Sequence, residues 1–214
     1  MQADKAALTR TAELTGRTRV HTTARWISSL FSPYVLILAL LALISLRVGT
    51  VSGWIWAGIS IFNGVLLPVL YIYIQLQRGR ITDFDLRDRQ QRIRPMLLFL
   101  ILNFMNLLFM WLNGAPTPLV LFGETGIILL GILLLITLRW KISGHATAAA
   151  CFAASVSGLF GGFAILTLLL PLAVSWSRVH MGRHDRAQVL AGTTLGFLFG
   201  SLYLVFLHIQ EITL

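Results

Sequence analysis

Arginine, serine and histidine are concentrated in three short segments of the sequence, each next to a long apolar run. The first is RDRQQRIRP at 87–95, in which Arg87 is followed after six residues by Arg94 and Pro95. The second is SGHA at 143–146, and the third is SRVHMGRHDRAQ at 177–188. Guanidinium groups form planar, permanently charged forks that match phosphate oxygens, and a Ser-Gly pair at a helix start exposes backbone N–H groups to an anion. Together the three segments predict a phosphate-binding site.

The apolar runs beside these segments are long enough to cross a bilayer. Hydrophobic residues make up 57% of the 214 residues, charged residues make up 12%, and the mean hydropathy is +0.80. Such a composition is unusual for a soluble domain. The net charge of +9 alone would suggest a nucleic-acid binder, but such a protein has no need of membrane-length apolar runs. We therefore predict an integral membrane protein and, because residues 1–30 lack an apolar core, no cleavable signal peptide.

Membrane helices are predicted at 31–47, 53–76, 96–113, 119–139 and 187–208. The stretch between them at 145–178 has two interpretations: a hairpin of helices 145–158 and 163–178 that turns at GLFGG, or one span from about 146 to 172. The hairpin gives seven helical segments and the single span gives six. Both give an all-α polytopic membrane bundle, with 1–30 as a polar basic segment and 31–214 as one embedded domain.

The positions of the positive charges favour the hairpin. Sixteen of the seventeen Lys and Arg residues lie in the segments 1–30, 77–95, 139–145 and 176–188. The hairpin brings all four segments to one face of the membrane, whereas a single span puts 176–188 on the opposite face. Because basic loops mark the cytoplasmic side, we expect this face, with the N-terminus, in the cytoplasm.

The three motifs, in this order and at these helix ends, resemble the signature of the type 2 phosphatidic acid phosphatase superfamily. That signature is a basic residue, six residues and Arg-Pro, then Pro-Ser-Gly-His, then Ser-Arg, five residues, His, three residues and Asp. The third motif is the most specific here, because Ser177-Arg178 and His184 stand in register. The resemblance covers 87–192, about half of the sequence.

The resemblance implies a membrane phosphatase that acts on a phosphorylated lipid through a phosphohistidine intermediate. His184 would be the nucleophile, and His145 the general acid that protonates the leaving oxygen. The phosphoryl oxygens would be held by Arg87, Arg94, Ser143, Gly144 and Arg178. No metal or other cofactor is implied, and the partners would be membrane lipids rather than nucleic acid. The substrate would be a polyprenyl phosphate or diphosphate, or a glycerolipid such as phosphatidate.

Three positions depart from the family pattern. Arg87 stands where lysine is usual, Ile142 replaces proline, and Gln188 replaces the aspartate that would accept a hydrogen bond from the nucleophilic histidine. Gln188 can orient His184 but adds no negative charge, with Asp185 and Asp88 as the candidates for the missing carboxylate. Transfer of the phosphoryl group or headgroup, or lipid-phosphate binding with weakened catalysis, are therefore alternatives to hydrolysis.

The same motifs also have simpler interpretations. The arginine-rich loop can be a cytoplasmic loop that follows the charge rule, and Ser143-Gly144-His145 can be a helix N-cap with an interfacial histidine. His180, four residues before His184, is expected beside the same pocket. DFDLRD at 83–88 loosely resembles the aspartate-rich loops of magnesium-dependent membrane prenyltransferases, although the sequence has no second such cluster.

Overall fold

The computed structural model describes residues 20–213, and these residues form helices and connecting loops without any β-strand. Residues 1–19, most of the predicted basic N-terminal segment, lie outside the described part of the chain. In chain order the elements are α1 Val20–Leu30, α2 Pro33–Val48, α3 Val51–Ile61, a π-helical turn Phe62–Leu66, α4 Leu67–Gln77, α5 Arg89–Leu112, α6 Thr117–Arg139, α7 Gly144–Phe160, a 3₁₀ segment Gly162–Leu169, α8 Leu170–His180 and α9 Arg186–Thr213.

Four helical segments are long and apolar enough to cross a bilayer: Val51–Gln77, Arg89–Leu112, Thr117–Arg139 and Arg186–Gln210. A fifth forms if α1 and α2, which meet at an angle of 44°, are taken as one bent span. Large apolar side chains cover the outside of the bundle, and Leu135, Leu172 and Leu190 are each about two-thirds exposed. Apolar faces of this extent are stable in hydrocarbon rather than in water. The protein is therefore a helical integral membrane protein, as the composition predicts.

The sequence interpretation missed α1 and treated all of 1–30 as a polar segment. This helix is amphipathic: Ala24 and Ser28, four residues apart, are buried, while Arg25 and Trp26 are exposed. Residues at that spacing share one face of a helix. Because α1 is short as well as amphipathic, a search for apolar runs of membrane length did not reveal it.

The stretch between Lys141 and the last helix is a hairpin, as the charge distribution favoured. Two consecutive glycines make the turn between α7 and the 3₁₀ segment, Gly161 with φ 57° and Gly162 with φ 49°, and glycine adopts this left-handed conformation without a steric penalty. Across the turn the hydroxyls of Ser157 and Thr167 lie 3.1 Å apart, and Thr167 also donates to the Ala153 carbonyl at 3.3 Å. The hairpin returns α8 to the end of the bundle where α7 begins.

The backbones of α7 and α9 approach very closely because the facing residues are small. A methyl group added at Gly192 would lie 2.6 Å from the Ser143 carbonyl oxygen, and one added at Gly200 would lie 2.7 Å from the Cys151 carbonyl oxygen. Gly196, between them, faces Thr147 just as closely. Glycines four residues apart give membrane helices this close packing. The contact fixes the start of α7 against the start of α9.

Hydrogen bonds connect the described basic segments to one another and to neighbouring helices at one end of the bundle. Arg89 in α5 donates to the Thr137 carbonyl in α6 at 2.9 Å, and Lys141 donates to the Arg183 carbonyl at 2.8 Å. Arg178 in α8 reaches α1, where its Nη1 donates to Ser28 Oγ at 2.7 Å. The predicted convergence of these segments on one face is therefore confirmed for residues 20–213, and the candidate motifs meet there.

Candidate active site

A cavity of about 320 Å³ starts at this charged end and extends into the bundle. Its polar end is lined by Asp85, Arg92, Gly144, His145 and His184. The rest is mainly apolar, with lining residues from several helices that include Leu36, Leu40, Val65, Met96, Phe99, Leu119, Phe122 and Leu130. The cavity thus joins a cluster of ionisable groups to a long apolar interior, as an amphiphilic ligand would require.

His184 lies in the loop between α8 and α9 and is buried. Its Nδ1 lies 2.8 Å from Gln188 Oε1. Since an amide oxygen only accepts, Nδ1 carries the proton and Nε2 keeps a lone pair. Gln188 is itself fixed, because its backbone N–H donates to Asp185 Oδ1 at 2.9 Å in the first turn of α9. The arrangement orients a neutral imidazole with a nucleophilic Nε2.

The surroundings of His184 also keep the ring neutral. Burial lowers the pKa of His184 to about 4. The hydrogen bond with Gln188 opposes this shift, while the positive charges of Arg92, Arg178 and Lys141 add to it. At neutral pH the imidazole is therefore neutral, with a lone pair on Nε2, which is the form that a nucleophile needs.

Arg178 is almost completely buried near the end of α8. Its Nη1 donates to Ser28 Oγ at 2.7 Å and to Asp85 Oδ2 at 2.9 Å, while its buried Nε has no hydrogen-bond partner among the described residues. The arginine is thus held rigidly by α1 and by the loop before α5. An orphaned donor on a buried cation is costly unless an anion accepts from it.

Ser143, Gly144 and His145 lie at the N-terminus of α7, as predicted. Ser143 is the N-cap, and its Oγ accepts from the backbone N–H of Ala146 at 3.4 Å. Gly144 and His145 both line the cavity. The N-cap interpretation and the binding interpretation are compatible here, because a hydroxyl that accepts one hydrogen bond can still donate another and the N–H dipoles of the first turn favour an anion at the helix start.

The first motif is placed differently from the expectation. Arg87 and Arg94, the two predicted phosphate ligands, are exposed and do not line the cavity, whereas Arg92 does. Arg92 begins a stripe of cavity-lining residues on α5 that continues at Met96, Phe99, Asn103, Asn106 and Met110. Positions three and four apart share a helix face, and Arg94 lies off this stripe. This periodicity could have identified Arg92, but it requires α5 to begin at Arg89 rather than near 96.

The carboxylate in the site is Asp85, which the sequence interpretation did not select. Asp88 caps α5 through the Gln90 N–H at 3.0 Å, and Asp185 caps α9 through Gln188, so neither candidate bonds to His184. Burial raises the pKa of the Asp85 carboxyl, but electrostatic interactions with His145 and Arg178, together with the hydrogen bond from Arg178, outweigh that effect and lower the pKa below its usual value. Asp85 is thus an ionised partner for Arg178.

His180 is not a pocket neighbour, contrary to the expectation. It is exposed at the end of α8, and its ring stacks on Trp176 with centroids 5.3 Å apart. The chain leaves helical geometry after His180, so the four-residue spacing does not put it on one face with His184. Within residues 20–213, no group of three or more His, Cys, Asp or Glu side chains has the arrangement of a metal site.

Fold and site together define a helical membrane protein with a buried histidine and arginine centre suited to a phosphoryl group. Residues 136–211 match the family model of the PAP2 superfamily, so this region of the chain is similar to that superfamily. The matched region contains the second and third motifs, and the α5 motif lies before it. No curated protein and no solved structure matches the chain. Members of the superfamily are generally phosphatases, so the match supports phosphatase-type activity.

Proposed function

We propose that the protein is a lipid phosphate phosphatase that hydrolyses a phosphomonoester or diphosphate of a polyprenyl lipid or glycerolipid through a phosphohistidine. The observation that carries the proposal is the oriented, neutral His184 at the polar end of a cavity whose remainder is mainly apolar. A soluble phosphate ester has no apolar tail to fill this part of the cavity. A lipid can place its phosphate at His184 and at least part of its tail among the apolar lining residues.

In the proposed reaction, His184 Nε2 attacks phosphorus while the bond from phosphorus to the lipid-side oxygen breaks. His145 donates a proton to that oxygen, and water then attacks the phosphohistidine to release inorganic phosphate and free His184. The orphaned Nε of Arg178, the Ser143 hydroxyl and the first N–H groups of α7 would stabilise the charge on the transferring oxygens. Arg87 and Arg94 would join them only by reorienting from their exposed positions.

The charged end of the bundle would face the cytoplasm, because the basic segments gather there. The phosphate would then be released on the cytoplasmic side. Tagging the chain with a reporter at the exposed loop residue Gly79 and testing its accessibility from each side of sealed vesicles checks this orientation.

One alternative has a specific observation behind it, and the other is disfavoured by the contacts of its aspartates. Gln188 gives His184 a neutral partner, which favours a protein with weakened turnover that binds lipid phosphates or transfers the group to another alcohol. The aspartates of DFDLRD were the basis for a magnesium-dependent prenyltransferase, but Asp85 pairs with Arg178, Asp88 caps α5, and Asp83 lies 3.8 Å from Arg183. Their engagement with cations and backbone favours the phosphatase.

Phosphate release by the purified protein in detergent tests the proposal directly. The substrates are a polyprenyl diphosphate, phosphatidate and phosphatidylglycerol phosphate, assayed with a chelator and again with magnesium. We expect release with the chelator present, loss of release in His184→Ala and full release in the matched control His180→Ala, whose side chain is exposed. Release that requires magnesium, or that survives in His184→Ala, contradicts the proposed mechanism.

A further inference from the structure

Two polar side chains line the cavity far from His184, in its membrane-embedded part. Ser60, near the end of α3, and Asp-free neighbour Asn106 in α5 are both buried. Asn106 follows Arg92 by 14 residues on the same helix, and about 1.5 Å per residue puts it roughly 21 Å further along α5. The Ser60–Asn106 pair is thus too distant to contact a phosphoryl group at His184. Polar side chains within a membrane are costly and commonly functional, so the pair needs an explanation of its own.

The hydrogen bonds of this pair leave its donors weakly satisfied. Asn106 Nδ2 donates to Ser60 Oγ at 3.1 Å, so the pair links α5 to α3. Asn106 Nδ2 and the Ser60 hydroxyl also donate to the thioether sulfur of Met110, at 3.3 Å and 3.4 Å respectively. A thioether is a weak acceptor. One sulfur therefore holds two donors that an oxygen atom would bind more strongly.

The acceptor of the pair, Asn106 Oδ1, is unpaired within residues 20–213. Asn106 is only 8% exposed, and its Oδ1 is buried without a hydrogen-bond partner. Burying an amide oxygen without a donor is costly. A purely structural link between α3 and α5 needs only Nδ2, so it explains the contact with Ser60 but not the buried Oδ1. A ligand in the cavity can supply the missing donor.

Met110 is the residue that such a ligand would displace. It lines the cavity, and its unbranched side chain can adopt other rotamers more readily than a branched one. The opposite wall contains the π-helical turn Phe62–Leu66, a type of distortion that is frequent at functional sites. In this turn Gly64 brings the backbone close to Asn103, because a methyl group at Gly64 would lie 2.6 Å from Asn103 Oδ1. Polar atoms thus surround this part of the cavity on two helices.

We propose that the Ser60–Asn106 pair binds a hydroxyl group on the chain of the phosphorylated lipid, roughly 21 Å from the phosphate. This inference rests on the proposed function and adds a second polar contact to it. The hydroxyl oxygen accepts from Ser60 and from Asn106 Nδ2 in place of the sulfur, and the hydroxyl hydrogen is donated to Asn106 Oδ1. An ether or a carbonyl can only accept, and a hydrocarbon chain can do neither. The pair therefore selects a hydroxylated chain over a plain one.

The test measures the binding of phosphonates, which have a charged head like that of a phosphate ester and are not hydrolysed. With carbon–carbon bonds of about 1.5 Å and angles of about 111°, an extended chain of sixteen carbons is roughly 19 Å long. Hexadecylphosphonate with its head at His184 therefore brings its last carbon near Asn106. The ligands compared are hexadecylphosphonate, its ω-hydroxy derivative and its ω-methoxy derivative, each with the purified full chain in detergent.

We expect the wild type to bind the ω-hydroxy compound about 3- to 10-fold more tightly than hexadecylphosphonate, the gain expected for one added hydrogen bond. The ω-methoxy compound should lack this gain, because it has no hydrogen to donate to Asn106 Oδ1. Asn106→Leu replaces the amide with an apolar side chain of similar size. It should abolish the preference for the ω-hydroxy compound and leave the affinity for hexadecylphosphonate nearly unchanged.

Asn113→Leu is the matched control. Asn113 follows the last residue of α5, is exposed and does not line the cavity, and its Nδ2 donates to the Phe109 carbonyl at 2.8 Å. This variant should keep the preference for the ω-hydroxy compound. Equal affinities of the wild type for the three ligands overturn the proposal and leave the pair as a helix–helix link or a water site. A preference that survives in Asn106→Leu also overturns it.

The depth of the hydroxyl gives a test that needs no variant and decides the question if Asn106→Leu does not fold. The hydroxyl of ω-hydroxydodecylphosphonate stops roughly 5 Å short of the position that the longer chain reaches. The wild type should therefore gain no affinity from this hydroxyl relative to dodecylphosphonate. An equal gain at both chain lengths overturns the proposal, because it would not come from a site at one depth.

Phosphate release from the matching esters separates this proposal from the proposed function. The esters are hexadecyl phosphate and ω-hydroxyhexadecyl phosphate. A hydroxyl preference in binding without phosphate release from either ester contradicts the phosphatase assignment and supports the hydroxyl site. Phosphate release with equal affinities for the three phosphonates supports the phosphatase assignment and overturns the hydroxyl site.

Discussion

Gln188→Glu is the substitution that tests the neutral partner of His184 most sharply. The change replaces one amide with a carboxylate of the same length, so the 2.8 Å contact to Nδ1 can persist while its acceptor becomes negatively charged. Two unit charges about 4 Å apart interact by roughly 1 kcal/mol in water and roughly 4 kcal/mol at an effective dielectric constant near 20. At about 1.4 kcal/mol per pKa unit, the substitution should raise the pKa of His184 by about 1 to 3 units.

The assay is the pH profile of kcat/KM, whose acid limb reports the free enzyme. His184 must be unprotonated to attack, and burial lowers its pKa to about 4. Wild-type activity should therefore be complete at neutral pH and fall only as the pH drops through about 4. In Gln188→Glu the same limb should appear between about pH 5 and pH 7. Above that limb, a charge-assisted bond worth about 1 kcal/mol more than the neutral one should raise kcat about fivefold.

Gln90→Glu is the control, since it adds the same charge in the first turn of α5 at an exposed position. It should leave the acid limb where the wild type has it. An acid limb that Gln188→Glu does not move, or that Gln90→Glu moves equally, would refute the assignment of this limb to a hydrogen-bonded His184.

Two further substitutions test the elements that position the site. Ser28→Ala removes the hydroxyl that accepts from Arg178 Nη1 at 2.7 Å and should lower kcat/KM about tenfold. Ser29 is exposed on the same helix, so Ser29→Ala should leave kcat/KM unchanged. Equal effects of the two substitutions would show that α1 does not position Arg178. Gly196→Val places a side chain against Thr147 and Ala150 at the α7–α9 contact and should destabilise the protein by about 1 to 3 kcal/mol, seen as a lower melting temperature in detergent. Gly131→Val in α6 meets no neighbouring atoms, and a loss as large as that of Gly196→Val would show that the close approach of α7 and α9 is not the cause.

The membrane helices and the hairpin could be predicted because their signals are local. Apolar length marks the spans, paired glycines mark the turn at Gly161 and Gly162, and the distribution of arginines distinguishes a hairpin from a single span. The third motif was also informative, since His184 and Arg178 meet as the spacing suggested. The structure brings His145 and Gly144 to the same cavity.

The parts that sequence missed depend on tertiary contacts. Arg92 and Arg94 differ by two positions, and only the start and rotation of α5 decide which of them lines the cavity. DFDLRD contains three aspartates, and nothing in the sequence indicates that Asp85 is the one that pairs with Arg178 in the folded protein. The role of Ser28 requires a contact across 150 positions of sequence, and no local pattern encodes such a contact.

The most direct test of the central claim is the capture of the covalent intermediate. The protein is mixed with a lipid diphosphate that is labelled in its terminal phosphate, and the reaction is quenched rapidly without acid. Label should then remain on the chain, and peptide mapping should place it on His184. Phosphohistidine is labile in acid and stable in alkali, so the label should be lost on acid treatment, and His184→Ala should carry none. Label on another residue, or phosphate release by His184→Ala at the wild-type rate, would contradict the account.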